Sequence, residues 1–209
     1  MSKNFLTPSQ EIDLISKGYD LIVGIDEAGR GPWAGPVAVG FFFYFTGVTA
    51  VDGVNDSKTL NSKSRGQIIS PLLEDNRNFC LLGTPKQIDK LGIGNTIEEL
   101  ISKGIGQIRN RENGKKILFL IDGYFKREFD AKYELVKKGD SKFYSIAAAS
   151  IIAKETRDDL MRNYAEEFPE YGFEKHMGYG TKFHNLMLEE FGPCEIHRKS
   201  FKPVAKLCS

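Results

Sequence analysis

The sequence predicts an α/β fold: a mixed sheet flanked by helices, closed by a helical C-terminal segment. Two observations carry this. Apolar runs of strand length come first and then alternate with longer stretches of helical periodicity, the order expected of helices packed on a sheet. Two of the runs end in acids followed within two residues by glycine, Leu21 to Asp26 (then Glu27-Ala28-Gly29) and Ile117 to Ile121 (then Asp122-Gly123).

Taken in order, Gln10 to Lys17 suits a short helix, Leu21 to Asp26 a buried strand, and Pro36 to Tyr44 a second strand after a Gly-Pro turn. Asn61 to Glu74 has helical character weakened by Gly66 and Pro71. Asn78 to Gly83 reads as a third strand, Ile93 to Arg111 as a long helix, Ile117 to Ile121 as a fourth strand and Tyr133 to Val136 as a fifth. Ser141 to Phe168 predicts a long helix whose small residues Ala147, Ala148, Ala149 and Ser150 permit close packing on the sheet. Thr181 to Glu190 and Ser200 to Leu207 complete the chain as helices. The 209 residues suit one domain, 1–209, with about 170–209 as a helical extension.

Composition is that of a globular protein with no disorder bias. The longest apolar run, Val37 to Phe45, contains Gly40 and is too short to span a membrane, and the N-terminus opens no signal-peptide pattern. Cys80, Cys194 and Cys208 are odd in number and show no zinc or disulfide spacing, so a cytoplasmic location is expected. The net charge of +1 argues against a nucleic-acid binder held by its overall field. It argues less against a nuclease, whose acids cancel basic residues in the sum while bound cations restore local positive charge.

The acids Asp26, Glu27, Asp122 and Asp140 all lie at strand ends or in adjoining loops. Two bare carboxylates about 4 Å apart repel by roughly 4 kcal/mol at an effective dielectric near 20, so such a group needs cations or raised pKa values. Two Mg²⁺ ions would suit it, one activating water and one stabilising the leaving oxygen of a phosphodiester. Asp26 and Glu27 cannot both point the same way from a regular strand, so either the strand ends there or Glu27 contributes from another angle. Acids at strand ends often just cap turns or stay solvated, so it is the coincidence of these acids, more than any one of them, that points to a metal site.

Gly29-Arg30-Gly31, directly after the first acids, lets backbone N–H groups approach a phosphodiester and adds a cation. Asn55-Asp56-Ser57-Lys58 could bind a phosphate through Lys58 or simply form a polar turn. Gly92-Ile93-Gly94 lacks the strand that a dinucleotide loop requires. His176, His184 and His197 are not spaced as a helical metal pair. Tyr179, between two glycines, could stack on a sugar or base, or merely face solvent. Arg198, Lys199 and Lys202 suit phosphates or a solvated helix face alike.

Taken together these blocks resemble the ribonuclease HII family over nearly the whole chain, from about Leu21 to Val204. The carriers are Gly24-Ile25-Asp26-Glu27-Ala28-Gly29-Arg30-Gly31-Pro32, Asn55-Asp56-Ser57-Lys58, Ile121-Asp122-Gly123, Lys138-Gly139-Asp140, the helical stretch Ser145 to Lys154, His176 to His184, and His197-Arg198-Lys199-Ser200-Phe201. The resemblance implies an RNase H-like fold and a Mg²⁺- or Mn²⁺-dependent endoribonuclease. Its substrates would be RNA–DNA hybrids and duplex DNA with embedded ribonucleotides, cut on the 5′ side to leave 3′-hydroxyl and 5′-phosphate ends. It implies Asp26, Glu27, Asp122 and Asp140 as the metal-binding acids. It implies Gly29, Arg30 and Gly31 as readers of the 2′-OH and phosphates, Asn55 and Lys58 as further substrate contacts, and Tyr179 stacked on the adjoining deoxyribose.

Three departures stand out: Met177 where the family often has lysine, Pro71 inside a helix, and a tail ending at Ser209 with no evident sliding-clamp peptide. The sister group, ribonuclease HIII, carries an extra N-terminal domain and a glutamate as fourth acid, whereas this chain begins its core within about twenty residues and offers Asp140. A monomer is expected. The competing reading is a non-catalytic reader of hybrid duplexes, against which the four acids argue, since without metal they would repel a polyanion.

Overall fold

A computed structural model describes residues 5–55, 62–74 and 77–208. The strands are β1 (Leu21–Ala28), β2 (Val37–Tyr44), β3 (Phe79–Gly83), β4 (Ile117–Asp122) and β5 (Tyr133–Val136). The helices are α1 (Ser9–Ser16), α2 (Ser62–Glu74), α3 (Pro85–Leu91), α4 (Ile93–Arg111), α5 (Tyr144–Glu167), α6 (Phe173–His176), α7 (Lys182–Phe191) and α8 (Lys202–Ala205). The strands form one mixed sheet in the order β3-β2-β1-β4-β5. The first three pair antiparallel, and β4 and β5 add in parallel on the other side of β1.

Side-chain alternation sorts the sheet into two cores. Val23, Ile25, Val39, Phe41, Phe119 and Ile121 face α3 and α4, where they meet Ile88, Ile97, Ile101 and Ile105. Ile22, Phe42, Leu118 and Leu120 face the opposite way, onto α5 and α2. The contact of α5 with the sheet is close because Gly24 and Gly40 carry no side chain. A Cβ on Gly24 would lie 2.1 Å from the carbonyl carbon of Ser145, and one on Gly40 would lie 2.2 Å from the Ala149 oxygen. The small residues of α5 thus sit where the sequence predicts. A third cluster, including Ala34, Met161, Phe173, Leu188, Ile196 and Val204, roots the C-terminal segment against the far end of α5.

Glu11 on α1 is fully buried, and one carboxylate oxygen accepts both the backbone N–H of Ser145 (2.8 Å) and its hydroxyl (2.7 Å). An acid thereby caps the first turn of α5, where the helix dipole favours it.

Several boundaries differ from the sequence reading. The strand β1 continues through Glu27 and Ala28, because β2 pairs with it as far as Ala28↔Ala38. The helix α3 is absent from that reading, although Thr84-Pro85-Lys86-Gln87 is a capping box with proline in the first turn: Gln87 N–H donates to Thr84 Oγ1, and Thr84 N–H to Gln87 Oε1. The long helix starts at Tyr144 rather than Ser141, behind a 3₁₀ turn over Gly139–Ser141. The helix α2 runs on through Pro71, held by Ile68 and Leu72 in the second core and by Arg65, which donates to Glu155 of α5 at 2.6 Å. The last helix shrinks to Lys202–Ala205.

Candidate active site

Strand register and alternation build the acidic centre. β1 and β4 run parallel with Ile25 beside Ile121, so Asp26 and Asp122 follow at the same end of adjacent strands, roughly 4.8 Å apart between strand axes. Each lies an even number of residues from a side chain that packs on α5 (Ile22 and Leu120), so both carboxylates face that helix. Asp140 arrives from the 3₁₀ turn before α5. Its neighbour Gly139 donates a backbone N–H to Asp122 Oδ1 at 2.8 Å, which ties that turn to the end of β4. Asp26, Asp122 and Asp140 each offer an oxygen, and these oxygens all lie within 4.8 Å of one another.

Glu27 is not part of this trio. Because β1 continues as a strand, alternation turns its side chain away from that of Asp26; it pairs with Arg30 Nη1 at 2.9 Å and stays at the groove beside the trio. Of the four acids singled out in the sequence, three therefore converge directly and the fourth stands beside them.

Burial raises the Asp26 carboxyl well above the usual range, and the charges of Glu27 and Asp122 push in the same direction. The Ser150 hydroxyl and the Glu27 N–H, at 2.8 Å from Oδ1, oppose the rise by bonding the carboxylate. A centre of three close carboxyl oxygens, joined among the described residues by no histidine or cysteine, fits a hard divalent cation with oxygen ligands.

A groove of about 240 Å³ adjoins the centre, lined by Asp26, Glu27, Asp122, Ser150, Lys154, Tyr179 and residues 28–31. Gly29 has φ +92°, in the region that favours glycine, and a Cβ there would lie 2.3 Å from Arg157 Nε. Gly31 lies under the half-exposed ring of Tyr179, whose Cε1 would be 3.7 Å from a Cβ at that position. Asn55 does not line this groove, and Lys58 lies outside the described residues.

The sequence reading missed Ser150 and Lys154 as groove residues. Their signal was available: two polar side chains four residues apart on an otherwise small and apolar helix face. Lys154 pairs with Asp158 on the next turn. Arg198 is a correction. It is fully buried, so it belongs to no exposed phosphate-binding group, whereas Lys199 and Lys202 are exposed. Met177 turns its side chain into the third core.

The three histidines converge although their spacing shows no pattern. The His197 Nδ1 accepts the Cys194 backbone N–H at 3.0 Å, which leaves the proton of neutral His197 on Nε2. That proton faces His184 Nε2 at 3.0 Å, so His184 keeps its own proton on Nδ1 and donates it to the Tyr179 carbonyl at 3.0 Å. The His176 ring stacks on His184 with centroids 4.5 Å apart, accepts the Gly178 N–H and donates to the Tyr171 carbonyl. Every ring nitrogen is satisfied by hydrogen bonds. The cluster is a buried support for the Tyr179 loop, not a metal site.

Comparisons with known proteins agree with this architecture. The family model described as Ribonuclease HII matches residues 23–204. A ribonuclease HII of Chlamydia muridarum is 44% identical over 196 residues, spanning 93% of this chain and 88% of its own length. That of Chlamydia abortus is 43% identical over 200 residues, covering 94% and 91%. The crystal structure of ribonuclease H2 from Pyrococcus horikoshii OT3 superposes with a TM-score of 0.69 at 27% identity, covering 90% of this chain and 96% of that one, and shares the RNase H-like fold.

Proposed function

The chain belongs to the ribonuclease HII family and is a ribonuclease; on that premise we propose that it cuts the RNA strand of RNA–DNA hybrids and, in duplex DNA, the phosphodiester on the 5′ side of an embedded ribonucleotide. One observation supports this above the rest: Asp26 and Asp122 of the acidic trio, the Gly29-Arg30-Gly31 loop and the Tyr179 ring border the same groove, with Asp140 converging on those two acids.

Asp26, Asp122 and Asp140, with Glu27 beside them, are the residues to hold Mg²⁺ or Mn²⁺, and a pair of such ions supplies an activated water and counter-charge for the leaving oxygen. The remaining work falls to the protein. The Ser150 hydroxyl and the Gly139 N–H fix the Asp26 and Asp122 carboxylates in advance, so little reorganisation accompanies the reaction. Lys154 and Arg30 border the groove as cations for the phosphates flanking the cut. Backbone N–H groups of the glycine loop meet the ribose 2′-OH. The Tyr179 ring stacks on the next sugar, which must lack that hydroxyl to lie flat against it. Recognition of a hydroxyl on one side and of its absence on the other defines an RNA–DNA junction. Water oxygen bonds to phosphorus as the bond from phosphorus to the 3′ oxygen breaks, giving 3′-hydroxyl and 5′-phosphate ends. Residues 170–209 contribute to binding through Tyr179, and the enzyme acts as a cytoplasmic monomer with no sliding-clamp tether invoked.

The test is to map the cut on an end-labelled DNA duplex bearing one ribonucleotide. A single scission at its 5′ side is expected, together with loss of cleavage but retained binding in Asp122→Asn. Unchanged turnover in that variant removes Asp122 from the mechanism.

A further inference from the structure

Two arginines with almost no solvent exposure lie beneath the glycine loop. Arg157 of α5 is 1% exposed and Arg198 is 0% exposed. Neither has a carboxylate within ion-pair distance among the described residues; both spend their donors on backbone carbonyls instead. Arg198 donates from Nε to Gly35 O (2.9 Å), from Nη1 to Arg30 O (3.1 Å), and from Nη2 to Gly29 O (2.7 Å) and Pro36 O (3.0 Å). Arg157 donates from Nε to the same Pro36 O (2.8 Å), and from Nη2 to Ala34 O (3.1 Å) and Met177 O (3.0 Å). Burying an unpaired cation is costly, and two close together more so. Burial, with Arg157 beside it, pulls the Arg198 guanidinium down to about 9, still charged at neutral pH.

What the arrangement achieves follows from the planarity of the peptide group. In a trans peptide the carbonyl of one residue and the N–H of the next point in opposite directions, and no cis bond occurs among the described residues. With the Gly29 and Arg30 carbonyls drawn inward to Arg198, the N–H groups of Arg30 and Gly31 must face outward. Both residues are exposed, both border the groove, and neither N–H donates to any described residue. Arg157 extends the clamp to the other side of the groove. It joins the Ala34 and Pro36 carbonyls to that of Met177, beside the contact in which Trp33 N–H donates to Gly178 O at 2.8 Å.

We infer that Arg198, with Arg157, is a positioning residue for ribonucleotide recognition: it locks the glycine loop with two peptide N–H groups aimed at the sugar edge, and sets that loop against the Tyr179 loop. The inference rests on the junction-cutting reading above. Two fixed positive charges under the loop also offer the sugar-phosphate backbone an attractive field that the net charge of +1 conceals.

The experiment compares wild type with Arg198→Lys, which keeps the charge but cannot span four carbonyls. On a DNA duplex containing a run of consecutive ribonucleotides, the variant is expected to scatter its cuts where wild type has one principal site. On a single ribonucleotide its kcat falls about a hundredfold, as for a misplaced substrate, with KM little changed because phosphate contacts set binding. Mn²⁺ affinity by titration calorimetry stays at the wild-type value, since the acids do not touch Arg198. A variant that cuts with wild-type position and rate overturns the inference.

Should Arg198→Lys fail to fold, wild-type protein labelled with ¹⁵N-arginine decides. Resolved, slowly exchanging Arg198 Nη protons that shift when a ribonucleotide-bearing duplex binds in Ca²⁺ support the clamp; a freely exchanging or unresponsive guanidinium refutes it. A wild-type protein that cuts no ribonucleotide-bearing duplex defeats the substrate reading itself, and this inference with it.

Discussion

Acid should loosen the Tyr179 loop through the buried imidazoles. Burial holds His184 and His197 down at about 4, against an ordinary value of 6.5, and their positive charges would also repel neighbouring rings. The hydrogen bonds supply a further reason. A proton added to His184 Nε2 would meet the Nε2–H of His197 across 3.0 Å, and one added to His197 Nδ1 would meet the Cys194 N–H across the same distance. Since the folded pKa lies below the unfolded one, the unfolded chain binds more protons between about pH 4 and pH 6.5. The stability these groups contribute is therefore complete above that window and lost as pH falls through it. For one imidazole shifted from 6.5 to about 4, the loss between pH 7 and pH 5 is about 2 kcal/mol. Asp26 and Glu11, both raised by burial, act in the opposite sense, so wild type alone would mislead. The measurement is the gap in urea stability between wild type and His197→Gln, which should shrink by about that 2 kcal/mol on going from pH 7 to pH 5. Imidazole ¹⁵N shifts should show His184 protonated on Nδ1 throughout. A constant gap, or a His184 that titrates near 6.5, would refute the reasoning.

Three further expectations follow from the packing and the groove. Gly24→Ala drives a methyl into the Ser145 backbone at 2.1 Å, so α5 must move, costing about 1–3 kcal/mol or more; a melting temperature equal to wild type would show that the helix has room. Tyr179→Ala should lose about 1–3 kcal/mol of stacking, read as a fall in kcat/KM on a junction substrate that Tyr179→Phe largely avoids. Chelation with EDTA should abolish cleavage, and returning Mg²⁺ or Mn²⁺ should restore it and raise Tm by binding only the folded acids; cleavage that persists after chelation would exclude the acidic trio from catalysis.

Much of the scaffold was legible because it rests on local rules. Strand alternation and helical periodicity place β4, β5 and α4 within a residue of their observed bounds. The helix α3 was legible too, through its capping box, and went unread. The neighbouring acids Asp26 and Glu27 show the limit of local reasoning. Alternation forbids them a common direction, but only the pairing of β2 as far as Ala28 decides that the strand continues and Glu27 leaves the trio.

By itself the sequence determined the element types, the acids at strand ends and the family, since each depends on residue identity at short spacing. The tertiary structure alone decided what Arg198 and the histidines do. Arg198 reads as one of several surface cations until the fold brings it against the Gly29 carbonyl, 169 residues away, and removes it from water. His184 and His197 acquire their tautomers only when the fold brings the Nε2 atoms of the two rings within hydrogen-bond distance, 3.0 Å. Periodicity extends over a few turns, whereas burial and hydrogen-bond partnership belong to the assembled interior, where distant segments set the local dielectric and geometry together.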